Sequence, residues 1–193
     1  MDEKTIKDFL IRLYFGKGTN YFDLAISRAY RDFNRTLRNL PQGLGEWETL
    51  KIKLSDIIKE EVSILLHTQI VDQEEFTKWH KSICEKLEKC SDTILKTGQS
   101  QKWINMTLKY LLTFGEEYVP GITSNYKFFH IPIDNIIQKA FREEPYCVEE
   151  IEGSWSRIDD YATYNEYQIA IRNAIGDLIP IEVEFELFTG VNT

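Results

Sequence analysis

The run Gly98-Gln99-Ser100-Gln101-Lys102-Trp103-Ile104-Asn105-Met106-Thr107-Leu108-Lys109-Tyr110-Leu111-Leu112-Thr113-Phe114 decides how this chain folds. Ile104, Leu108, Leu111 and Leu112 recur at helical spacing, and Trp103, Tyr110 and Phe114 widen their stripe. A helix apolar on nearly every side has to be surrounded by other elements. The spacing predicts a helix over 99–114, entered through a glycine-bearing turn that brings Lys102 to its start. Further on, Pro132-Ile133-Asp134-Asn135 reads as a turn, with Asp134 or Asn135 capping a helix to about 142. A lysine and an aspartate, each at a helix start, can share one pocket.

The flanking segments supply helices to pack around that pair. Residues 2–15 place Ile6, Phe9, Leu10 and Leu13 on one face, and Gly16-Lys17-Gly18 ends that helix as a plain turn. Asn20 caps a helix expected over 20–39, with Arg28, Arg31, Arg35 and Arg38 in a basic stripe that is either solvated or phosphate-facing. The Pro- and Gly-containing segment 40–45 is a loop, and residues 46–68 and 73–90 read as further helices, the latter capped by Asp72. A helix from Ser156 or Asp159 to about 174 carries Tyr161, Tyr164 and Tyr167, expected at the core edge with their hydroxyls on polar partners. Residues 180–188 alternate like a strand but begin with Pro and Glu; with no other edge to pair with, they are read as a helix. The expected fold is all-α, a compact helical domain over 1–193, with lobes at 1–95 and 96–193 around a cleft.

Composition narrows the function classes. Apolar residues make up 42% of the 193 residues, enough for a packed core, while 10 Gly and 5 Pro speak against an all-β chain. No apolar run approaches the roughly 20 residues that span a bilayer, and the charged start is not that of a signal peptide. Cys84, Cys90 and Cys147 follow no disulfide spacing, which fits a reducing cytoplasm. The net charge of −8 is uneven. Residues 143–193 hold 2 basic against 12 acidic side chains, whereas residues 1–40 hold 8 against 5. That balance suits a local anionic ligand better than a strong duplex binder, and the acidic last quarter suits a protein partner.

Individual side chains have a plain and a chemical reading. Lys102 can snorkel to solvent; alternatively, burial disfavours a charged amine, and a neutral amine is a nucleophile. Asp134 can serve as a cap alone. His130 can line the same pocket or be a satisfied structural histidine. His80 and Cys84, one turn apart, can hold one side of a metal, but no second pair at ligand spacing appears, so no metal and no cofactor are expected.

The segment Thr97-Gly98-Gln99-Ser100-Gln101-Lys102, followed by Pro132-Ile133-Asp134, resembles the helix-hairpin-helix DNA glycosylases. The branch is the 8-oxoguanine glycosylase-like one, and the compact acidic chain is similar to members that accompany bacterial anti-phage operons. The family hairpin reads roughly Pro-Gly-x-Gly-x-Lys. Here the first Gly and the Lys stand, while Thr97 replaces the Pro and Ser100 the second Gly. The resemblance implies Lys102 as the nucleophile on the sugar C1′, Asp134 as the assisting carboxylate, and Gly98 and Ser100 in a phosphate-holding hairpin. Trp103, Phe128, Phe129 and His130 would enclose a modified purine, flipped out of its stack or in a single strand. A non-catalytic binder of a modified base or nucleotide, or an acidic all-α interaction protein, are the other expectations.

Overall fold

The computed structural model describes residues 2–38, 40, 41, 43 and 45–189. Among the described residues eight α-helices follow in chain order: α1 (Glu3–Phe15), α2 (Tyr21–Phe33), α3 (Glu46–Leu66), α4 (Gln73–Cys90), α5 (Thr97–Phe114), α6 (Asn135–Arg142), α7 (Tyr161–Ile175) and α8 (Pro180–Thr189). Short 3-10 turns stand at Asn34–Thr36, Tyr126–Phe128 and Trp155–Arg157, and no strand occurs among the described residues. The chain is all-α.

Local chemistry accounts for most helix starts. Asp2, Asn20, Asp72, Asp134 and Asp160 each accept backbone N–H bonds in the first turn of α1, α2, α4, α6 and α7. The segment 180–188 is helical, as its Pro-Glu start predicts, because Ile181, Val183 and Glu184 are drawn into the core.

α5 is the centre. Every residue from Thr97 to Leu111 is buried, and α2, α4, α7 and the 155–157 turn pack around it. Three boundaries depart from the sequence expectation. α5 begins at Thr97, so Lys102 lies in the second turn rather than at the start. The glycine-bearing hairpin expected at 97–102 is itself helix: Ser100 N–H bonds Lys96 O, and Gln99 Oε1 accepts from Lys96 N–H. Gly98 serves a close approach there, since a Cβ on it would lie 1.8 Å from Trp155 O. α2 stops at Phe33 instead of running to 39, with the Thr36 hydroxyl bonding Phe33 O. Asn39, and Gln42 and Leu44 of the expected loop, lie outside the described residues. At the expected start of the last long helix, Ser156 lies in the 155–157 3-10 turn and Asp159 in no helix, and α7 waits for its cap at Asp160.

Candidate functional site

The side chains of Lys102, Met106, Lys109, Tyr110 and Thr113 recur at steps of three and four along α5 and so share one face. That face floors a hollow of about 690 Å³. α1 closes one side with Leu10, Ile11, Tyr14 and Phe15, and α8 the other with Glu184, Phe185 and Phe188. Asp134 and Ile136, from the turn and first residues of α6, stand at its edge. The volume falls in the range of small-molecule sites, and the walls are chiefly apolar and aromatic, with a few convergent polar groups.

Lys102 and Asp134 meet. Lys102 Nζ donates to Asp134 Oδ2 at 2.7 Å and to Pro132 O at 3.2 Å, with the lysine side chain 5% and the aspartate 19% exposed. The other carboxylate oxygen, Oδ1, accepts from the N–H groups of Ile136 and Ile137, both at 2.9 Å. One side chain therefore caps α6 and pairs the lysine at once, through separate oxygens.

A second buried pair lies two helical turns along. Lys109 Nζ donates to Glu184 Oε1 at 2.7 Å and stands 4.2 Å from the Phe188 ring centroid. Glu184 Oε2 is buried without a hydrogen-bond partner. Burial raises the Glu184 carboxyl above the usual range, against the pull of Lys109. On the α1 and α2 side, Asp32 accepts from Arg28 at 2.6 Å and from the Tyr110 hydroxyl at 2.6 Å, and Arg28 also donates to Tyr14 at 2.8 Å. Burial and the adjacent Asp32 hold the Tyr110 phenol protonated well past the ordinary range. The carboxylates at the hollow are thus each matched by a cation, and Lys7 lines it as a further cation.

The other sequence-predicted residues lie elsewhere. Gly98 packs under the Trp155–Ser156 backbone, and its N–H bonds Ile158 O. Ser100 is fully buried, its hydroxyl unpartnered. Trp103 faces α2 instead of the hollow: its indole N–H bonds Ile26 O at 3.0 Å, and its ring packs on Tyr30 and Phe33. Phe129 is fully buried against Phe76. Phe128 sits in the turn before it, where its carbonyl accepts from Gln73 and Arg172. His130 is buried and bonds Tyr164 through Nδ1 and Gln73 through Nε2. The physical reason is periodicity. Lys102 and Trp103 are adjacent and point about 100° apart on a helix, and the 126–130 segment is clamped on the α4–α7 side. The aromatic walls come instead from Tyr14, Phe15, Tyr110, Phe185 and Phe188. The repeat of Lys102 at Lys109 marks the face of α5 that these rings stand over, while nothing in the sequence singles out the rings themselves.

His80 and Cys84 belong to the core. His80 Nδ1 bonds the Tyr161 hydroxyl at 2.8 Å, and Cys84 Sγ lies 3.8 Å from the same nitrogen. Among the described residues no group of three His, Cys, Asp or Glu side chains is placed to hold a metal. Tyr161 and Tyr164 face inward with hydroxyls bonded to buried partners, whereas the Tyr167 hydroxyl has none.

Compared with protein-family models, curated proteins and solved structures, the chain shows no match.

Proposed function

We propose that the hollow takes a modified purine nucleoside unit and that Lys102 reacts with its sugar, an N-glycosylase activity of the 8-oxoguanine type. The observation that carries this reading is the Lys102–Asp134 contact at the edge of an aromatic-walled hollow. Tyr14, Phe15, Tyr110, Phe185 and Phe188 offer faces on which a base can lie, and the unpartnered Glu184 Oε2 offers an acceptor to a ring N–H.

The chemistry balances on this chain's own groups. Lys102 passes a proton to Asp134 Oδ2 across their hydrogen bond, which frees the amine lone pair. That pair forms a bond to C1′ as the glycosidic bond breaks. The glycosidic electrons leave with the base, which takes up the second proton of the amine. The nitrogen lone pair then expels O4′, which is protonated by Asp134, and a Schiff base between Lys102 and C1′ remains. Asp134 also offsets the positive charge that grows on the sugar in the first step.

A second reading is favoured by one feature. Lys102 is held by both a carboxylate and a carbonyl, an arrangement that also suits a permanent ion pair in a base-binding site without cleavage. Borohydride treatment of the protein with an oligonucleotide carrying 8-oxoguanine separates the two. The glycosylase reading expects a covalent adduct that is lost in Lys102→Met. Binding of the free base by calorimetry with no adduct supports the binder, and neither result overturns both.

A further inference from the structure

The basic stripe of the sequence does not survive as one surface. Arg28 is engaged with Asp32 and Tyr14 at the hollow. The end of α2 at Phe33 turns Arg35 and Arg38 away, into a separate open groove of about 1170 Å³. Lys96, at the head of α5, and Arg157, in the 155–157 turn, line it from the far side. The acidic side chains there are Asp92 and Asp159, the latter 4.0 Å from Lys96. In a chain of net charge −8 this groove carries four cations against two carboxylates. Arg35, Arg38 and Arg157 are exposed, and the guanidinium groups of Arg35 and Arg157 have no hydrogen bond or ion pair among the described residues.

The groove adjoins the reactive pair. Asn135 lines the groove, while its neighbours Asp134 and Ile136 line the hollow. Gln99 lines the groove one turn of α5 before Lys102. Its side chain is held by Thr36, which fixes the Asn34–Thr36 turn that carries Arg35 against the head of α5. The turn that carries Asp134 is thus a ridge with a basic trough on one side and an apolar hollow on the other.

We propose that this groove binds the phosphodiester backbone of a polynucleotide, so that a base turned over the 134–136 ridge enters the hollow while its flanking phosphates lie along Arg35, Arg38, Lys96 and Arg157. The choice of a polynucleotide over another polyanion rests on the nucleobase reading of the hollow. The local charge is small, so binding is weak and salt-sensitive, and a flexible single strand fits the bend at the ridge better than a stiff duplex.

The test is a salt titration of binding to a short single strand and to a duplex of the same sequence, between about 50 and 200 mM salt. Arg35→Ala/Arg38→Ala/Arg157→Ala is compared with Lys78→Ala/Lys81→Ala, which removes exposed charges of α4 outside the groove. Neutralising a single-strand contact removes about 0.7 from the slope of log affinity against log salt, so the triple variant is expected to flatten it by about 2 and to bind about tenfold more weakly at low salt. The α4 variant keeps the wild-type slope. Binding of free 8-oxoguanine is measured on the same proteins and is expected to be equal in all of them. A triple variant with the wild-type slope overturns the groove. Loss in the triple variant alongside absent base binding in the wild type overturns the reading of the hollow and leaves the groove standing.

Discussion

Asp134 Oδ2 lies 2.7 Å from Lys102 Nζ, although 32 residues separate them, and Asp134 Oδ1 holds the first turn of α6. Any movement of α6 therefore moves the partner of the lysine. The two roles make the pair asymmetric toward substitution. Asp134→Ala removes the cap and leaves a nearly buried ammonium without its counter-charge, at an expected cost of about 3–4 kcal/mol. Lys102→Met fills the same space with an apolar chain and leaves a carboxylate still bonded to two N–H groups, at about 1 kcal/mol. Urea unfolding of both variants checks the order, and equal losses contradict the double role.

The Lys109–Glu184 pair should behave as a buried pair that is costly to break singly. Lys109→Met and Glu184→Leu each strand a buried charge, whereas the double substitution restores an apolar contact under Phe185 and Phe188. A coupling of about 2 kcal/mol is expected in the double-mutant cycle. Glu184 has a raised folded pKa, so the folded state holds its proton more tightly than the unfolded chain. Its contribution to stability is present at low pH and is lost as pH rises from about 4.5 through the raised value. Glu184→Gln should flatten that part of the stability–pH curve.

His80 and His130 act in the opposite direction. Burial pushes His80 down to about 3, and burial with the nearby His80 and Arg172 holds His130 well below the ordinary range. Both stay neutral in the folded chain while the unfolded chain takes up protons below about 6.5. Their contribution is complete above that pH and is lost as pH falls toward 3, by up to about 1.4 kcal/mol per pH unit for each histidine. Chemical denaturation at a series of pH values should show this acid limb, and His80→Gln should make it shallower.

Gly98→Ala tests the close approach of α5 to the 155–157 turn. The new methyl would meet Trp155 O at 1.8 Å, a backbone atom that cannot turn aside as a side chain end can. The turn must shift, stretching the Gly98 N–H to Ile158 O bond of 2.9 Å, and a loss of about 3 kcal/mol is expected. Ligand binding at the groove should fall with it, because Arg157 and Trp155 move together.

Trp103 separates fold from site. Trp103→Phe gives up the indole bond to Ile26 O and some aromatic packing, at about 2 kcal/mol, and should leave ligand binding at the hollow unchanged. Tyr110→Phe keeps the ring but frees Asp32 of one donor, and should weaken binding at the hollow with a smaller loss of stability. Thermal unfolding and calorimetric titration of the two variants check this division.

The sequence by itself determined the all-α class, the caps at Asn20, Asp72 and Asp134 and the burial of α5, because those follow from spacing and from side chains within a few residues of each other. Asp72, Asp134 and Asn20 announce their helices in this way, and so does the terminal segment from Pro180. It also pointed to Lys102 and Asp134, through a short motif and a turn. Only the tertiary structure decided what surrounds them. Whether Gly98 bends a hairpin or admits a neighbouring backbone depends on Trp155, 57 positions away in the chain. Which aromatic rings wall the hollow depends on α1 and α8 closing over α5 from opposite ends of the sequence, and no local pattern in Tyr14 or Phe188 encodes that meeting. Helical periodicity fixes the direction in which each side chain points, whereas the partner in that direction is set by how the other helices pack around α5.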